Sequence, residues 1–191
     1  MGNKACDTTL FDKAAKFAID AHQGTERRGK GHPYVIHVME AASIVATITN
    51  DPELLAAAVL HDVIEDTDYT AEDIKNQFGE KVASLVVAES DVVIEGKTES
   101  ESWHERKQAA IDRLKETSHE GKIVALGDKL SNMRAIARDY DAQGDKLWNL
   151  FHVNDPKEHK WHYEGLAASL SELKETEAYK EFEYLIKKVF G

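Results

Sequence analysis

Apolar residues recur at helical spacing along most of the chain, and the breaks in that pattern divide it into segments. Phe11, Ala14, Ala15, Ala18 and Ile19 form one stripe across Leu10–His22. A glycine-containing basic loop, ERRGKGH, follows, and Pro33 opens the next helix, PYVIHVMEAASIVATIT. Asp51 is placed to cap a helix with Pro52 at its first position, and that helix is expected to run through residues 53–66. Thr70 and Asp73 have capping-box spacing ahead of AEDIKNQFG, which Gly79 ends, and a further helix is expected over Glu80–Ala88. SDVVIEGKTESES has no helical period and reads as a loop; WHERKQAAIDRLKE and KIVALGDKLSNMRAIARD then resume the helical pattern. HKWHYEGLAASLSELK and YKEFEYLIKKVF complete an all-α chain, expected to be a single domain over 1–191 with residues 141–191 covering the core.

Along residues 53–60 the apolar positions occupy both sides of the helix, which predicts a buried element. It runs directly into VLHDVIEDTD. On a continuous helix His61, Asp62, Glu65 and Asp66 share an arc of roughly 140°, continuing the side held by Leu54, Leu55 and Ala58. Acids near a helix C-terminus are opposed by its dipole, and a bound divalent cation would offset that cost. The alternative is a polar helix end that emerges into water. His37, between apolar neighbours in PYVIHVM, is either a satisfied core histidine or a further ligand. In KIVALGDKLSNMRAI the residues Ile123, Leu126, Leu130, Met133 and Ala137 form an apolar stripe. Asp128 and Asn132 lie opposite it among the small residues Ala125, Ser131 and Ala135, which leave room for a second helix to approach a polar seam.

Composition narrows the function classes. Three prolines in 191 residues favour helices, and a net charge of −11 argues against a general nucleic-acid binder. No apolar run reaches the ~20 residues of a membrane span. The segment MGNKACDTTLF has no secretory-signal pattern and Cys6 stands alone, so a cytoplasmic location is expected. Against the acidic background Arg27, Arg28 and Lys30 concentrate positive charge; on sequence alone this is either a solvated loop or an anion contact.

The order His37, His61-Asp62, Asp128 resembles the H…HD…D signature of HD-domain metal-dependent phosphohydrolases. The wording RRGKGHPYVIH, LLAAAVLHDVIEDTD, FGEKVASLV and LGDKLSNMR, across about residues 10–140, is similar to the hydrolase domain of the RelA/SpoT family. That resemblance implies a compact multi-helix bundle with a metal site in its central helices, and removal of the 3′-pyrophosphate from guanosine tetra- and pentaphosphate. It implies His37, His61, Asp62 and Asp128 as ligands of one manganese ion; these donors also suit Fe, Co or Zn. Glu65 and Asp66 match the family's catalytic acidic pair. Arg27 and Arg28 match its nucleotide-contacting basic pair, within a loop one residue longer here, and Asn132 matches a nucleotide contact. Lys30, Lys129 and Arg134 are added as phosphate candidates, while Ala135 stands where relatives carry a hydroxyl residue. His159 and His162 are expected in packing or substrate-side contacts rather than at a second metal. The expected partner is a nucleotide, with no nucleic acid or membrane involved. The competing readings are a phosphatase for NADPH or an adenosine alarmone at the same centre, and a nucleotide sensor without turnover.

Overall fold

A computed structural model of the chain describes residues 7–90, 96 and 98–191. Ten α-helices are present among them: α1 (Thr9–Ala21), α2 (Val35–Val45), α3 (Pro52–Leu60), α4 (Val63–Asp66), α5 (Ala71–Phe78), α6 (Glu80–Glu89), α7 (Glu99–Glu116), α8 (His119–Gln143), α9 (Pro156–Ser169) and α10 (Glu177–Phe190). Among the described residues there is no strand, only an isolated bridge from Glu26 to Pro33 that closes the basic loop. No described helix is long and apolar enough to cross a membrane. Cys6 and most of SDVVIEGK lie outside the described residues.

Two of the expected starts act where their chemistry placed them, whereas α2 begins at Val35, two residues past Pro33. Asp51 accepts the Glu53 amide at 2.8 Å with Pro52 behind it, and Thr70 and Asp73 satisfy each other's backbone donors. Helix α7 begins four residues ahead of the expected Trp103, because Thr98 and Glu101 form another capping box. That box was masked by the polar residues preceding the first large apolar side chain. Two further starts, at Ser118 and at Asp155-Pro156, lengthen α8 and α9 beyond their apolar stripes.

Helix α3 is buried all round, as its apolar positions require: Leu54, Ala56, Ala57, Ala58, Val59 and Leu60 are all within the core. It does not continue to residue 66. The chain turns at His61-Asp62 before α4 resumes. Both residues keep right-handed helical dihedrals through this interruption, and their side chains converge, with His61 Nε2 3.0 Å from Asp62 Oδ2.

Helices α2 and α8, which carry His37 and Asp128, lie against each other with Gly127 at the crossing. A Cβ there would meet the Ala41 carbonyl oxygen at 2.8 Å and Val45 Cγ2 at 2.7 Å. Gly127→Ala must therefore separate the two helices, with an expected loss of about 1–3 kcal/mol. Chemical denaturation should show that loss, with metal affinity falling in parallel. Helix α10 packs across α8 and α9, burying Phe182, and α7 packs on α9.

Candidate metal centre and substrate cavity

His37 and His61 are 4% and 2% exposed, so their ring nitrogens must find partners within the protein. His61 Nδ1 lies 2.8 Å from the Ala58 carbonyl. A carbonyl only accepts, so Nδ1 carries a proton, and Nε2 is the position left to take up either a second proton or a metal. His37 Nδ1 lies 2.9 Å from Ser131 Oγ, whose single proton is directed to Glu40 Oε2 at 2.7 Å. Nδ1 is thus the donor here as well, and His37 Nε2 is turned the other way.

Both Nε2 atoms face carboxylates. His37 Nε2 is 3.1 Å from Asp128 Oδ1 and 3.4 Å from Asp62 Oδ2. His61 Nε2 is 3.4 Å from Asp128 Oδ1, and it has no hydrogen-bond partner. Donor atoms of His37, His61 and Asp128 all lie within 4.8 Å of one another, so these three side chains can hold a divalent metal. Asp62 lies beside both histidines, and its Oδ2 also accepts the Tyr34 hydroxyl at 2.6 Å.

The electrostatics match a cation site. Burial alone would lower the His61 pKa, but Asp62 and Asp128 outweigh it and hold the imidazole well above its ordinary value. Burial opposes ionisation of Asp128 and Asp62 in turn. Lys129 and His61 nevertheless hold Asp128 well below the usual carboxylate range, and the two histidines do the same for Asp62. The cluster therefore demands positive charge. A proton on His61 would supply it; a divalent cation would engage all the facing donors at once.

Asp128 is held from outside as well. Asn132 Nδ2 donates to its Oδ1 and Lys129 Nζ to its Oδ2, each at 2.6 Å, while Arg27 donates to Asn132 Oδ1 with its guanidinium over the Tyr34 ring. A cavity of about 300 Å³ opens on this side, with Glu65, Lys107, Lys129 and Asn132 in its walls. A second hollow of about 450 Å³ adjoins it, sharing Arg27, Asn132, Trp103 and Phe151 and adding Arg28, Lys30 and Leu150.

Of the residues singled out in the sequence, Arg27, Asn132, Lys129 and Glu65 border the metal-side cavity, and Arg28 and Lys30 border the second hollow. Arg28 meets His152 at 2.7 Å, and Lys30 is paired with Asp139. Asp66 does not border the cavity that Glu65 enters. Partial desolvation and the nearby Asp62 charge raise the pKa of this solvent-exposed side chain. Arg134 requires correction as a phosphate contact. It borders neither hollow, and both prongs of its guanidinium are on Glu181 at 2.7 Å.

His159 and His162 line the metal-side cavity, where His159 Nε2 is engaged by the Val153 carbonyl at 2.7 Å. Burial holds His162 well below the ordinary histidine value, and its Nδ1 has no hydrogen-bond partner. Tyr34, Glu89, Trp103 and Lys107 also line it and were not legible as site residues. Tyr34 had one usable signal, its position one turn before His37. The others enter only through the packing of α6, α7 and α9.

The chain matches the HD domain family over residues 14–152. A guanosine-3′,5′-bis(diphosphate) 3′-pyrophosphohydrolase of Haemophilus influenzae is 36% identical over 125 residues, 62% of this chain and 17% of that protein. The chain thus spans about a sixth of the length of such bacterial relatives. The Danio rerio protein named guanosine-3′,5′-bis(diphosphate) 3′-pyrophosphohydrolase MESH1 is 34% identical over 137 residues, covering 69% of this chain and 71% of that one. Among solved structures, a metazoan ortholog of SpoT superposes with a TM-score of 0.73 at 23% identity, over 94% of this chain and 95% of the other. A Listeria monocytogenes EGD-e protein gives 0.69 at 27% identity, over 84% and 97%. The family match extends from α1 to just short of α9 and includes the convergent histidines and aspartates: the chain belongs to the HD domain family.

Proposed function

We propose that this chain is a metal-dependent hydrolase that removes the 3′-pyrophosphate of guanosine tetra- and pentaphosphate, working as one domain over residues 1–191 in the cytoplasm. The observation that carries the reading is the convergence of His37, His61, Asp62 and Asp128 beside a cavity edged with cations. The names of the Haemophilus influenzae and Danio rerio relatives support the substrate. Those four side chains are assigned to one ion. Manganese is preferred from the resemblance to the family alone; the mixed imidazole and carboxylate donors suit iron, cobalt or zinc equally.

When bound, the cation would neutralise charge on the attacked phosphate and make a water acidic enough to attack at neutral pH. The protein's own groups do the rest. Arg27, Lys107 and Lys129 border the cavity where the phosphates would lie, and Asn132 ties Arg27 to Asp128. Glu65 opens onto the same space and is assigned to orient the water and take its proton. Asp66, with its raised pKa beside Asp62, is assigned a supporting role in that transfer. The water oxygen bonds to the phosphorus attached at the ribose 3′-oxygen, the bond to that oxygen breaks, and the oxygen takes a proton. The products are pyrophosphate and GDP or GTP.

The adjoining hollow is assigned to the nucleoside, with Phe151 and Trp103 as aromatic walls and Arg28 and Lys30 at its edge. Base stacking on one aromatic is worth about 1–3 kcal/mol. Phe151→Ala should therefore raise KM by roughly 10-fold while leaving kcat near wild type; steady-state kinetics on guanosine tetraphosphate would measure it.

The deciding assay presents guanosine tetraphosphate, its adenosine counterpart and NADPH in parallel with manganese and identifies the product. Pyrophosphate from the guanosine compound, abolished by chelation, is expected. Orthophosphate from NADPH, or pyrophosphate from the adenosine compound alone, would replace this substrate with another at the same centre. Stoichiometric nucleotide binding without turnover would make the chain a sensor.

A further inference from the structure

The His37 ring is held at both edges by α8. Asp128 faces its Nε2, and three residues further along Ser131 faces its Nδ1. Ser131 is 2% exposed, and its hydroxyl proton is directed to Glu40, which stands three residues after His37 on α2. Two residues on each helix, at i and i+3, thus close a four-membered arrangement around one imidazole. Glu40 is itself held: Arg134 Nη1 lies 3.3 Å from its Oε1, and both prongs of Arg134 are fixed by Glu181 of α10. The chain of partners runs His37, Ser131, Glu40, Arg134, Glu181, from the centre of the fold to its last helix.

We propose that Ser131 and Glu40 are positioning residues that set the tautomer and orientation of His37 as a metal ligand, with Arg134 and Glu181 holding Glu40 in register. The inference rests on the metal reading above and goes beyond it by giving the outer partners their task. A serine hydroxyl between an imidazole and a carboxylate has one proton to give. While Glu40 accepts it, Ser131 can only accept from His37, which keeps the proton on Nδ1 and leaves Nε2 to the ion. Without Glu40 the hydroxyl is free to turn and donate to Nδ1, stabilising the opposite tautomer. Without Ser131 the ring loses its outer anchor. Arg134, the misplaced phosphate candidate, thereby acquires a position with a physical purpose.

The experiment is Mn²⁺ binding to the metal-free full chain by titration calorimetry, without nucleotide. Ser131→Ala and Glu40→Ala should each weaken binding by about 10–100-fold, the usual cost of removing an outer partner of a ligating histidine. Because both act through one ring, the double variant should be little weaker than either single one. Arg134→Gln, at a partly exposed position outside the centre, should shift affinity in the same direction by less. Thermal unfolding in chelator separates a general packing role. Single variants that bind Mn²⁺ as wild type does, or losses that simply add in the double variant, would overturn the positioning role. Failure of the wild-type chain to bind Mn²⁺, Fe²⁺, Co²⁺ or Zn²⁺ would instead overturn the metal reading, and this inference with it.

Discussion

His61→Ala is expected to remove both divalent-metal binding and turnover. Its Nε2 is buried without a hydrogen bond between two carboxylates, and the backbone carbonyl of Ala58 fixes the ring from the other side. Loss of metal assistance, worth several kcal/mol at the reacting phosphate, corresponds to a fall in kcat of about 10³-fold or more. Binding is the cleaner measurement. Mn²⁺ at 1,000 times its Kd should stabilise wild type against unfolding by about 4 kcal/mol and leave His61→Ala unmoved.

The pH dependence has a definite sign. In the metal-free protein His61 is held well above its ordinary value by Asp62 and Asp128 against the opposing effect of burial. That raised pKa stabilises the metal-free fold fully below the unfolded histidine value of about 6.5. The contribution is lost as pH rises through the folded value. Mn²⁺ competes for the same site, so its binding should release a proton and tighten as pH rises. Equal affinity across that range, by calorimetry in buffers of different ionisation enthalpy, would contradict the assignment.

Glu65→Gln is expected to leave Mn²⁺ affinity close to wild type and to lower kcat by about 10²–10⁴-fold, the range for losing a positioned general base. The substitution keeps size while removing the carboxylate charge and with it the ability to take a proton. Glu65 borders the cavity without belonging to the mutually close donor group of His37, His61 and Asp128, so chemistry and metal binding should separate in this variant. Asp66→Asn provides the contrast. Because Asp66 lies off the cavity wall, its loss should cost less than that of Glu65. A variant lacking Glu65 that turns over at the wild-type rate would move the base elsewhere, with Asp66 the first place to look.

The helices were legible because their signals are local. Asp51-Pro52 and the Thr70–Asp73 pair act within a few residues of themselves, and the apolar stripes report burial directly. The same locality misled at several boundaries, two of which bear on the site. Residues 53–66 read as one helix because nothing in VLHDVIEDTD marks the turn at His61-Asp62, and α7 read as starting at Trp103 because Thr98 and Glu101 lie in a polar stretch. Arg134 was misread for a related reason. Its neighbours in the motif face the cavity, but its own angle around α8 points it to Glu40 and Glu181, which sequence proximity does not reveal.

By itself, the sequence determined an all-α chain, the approximate helices, and which imidazoles and carboxylates could become ligands, since periodicity, caps and donor chemistry operate over one or two turns. Only the tertiary structure decided that His37 meets Ser131 across 94 residues, that Arg27 meets Asn132 across 105, and which nitrogen of each histidine faces inward. Those outcomes depend on how closely α2 and α8 approach at Gly127 and on how α7 and α9 close the cavity. Helix approach is set by the packing of whole faces at once, so no short stretch of the chain contains it.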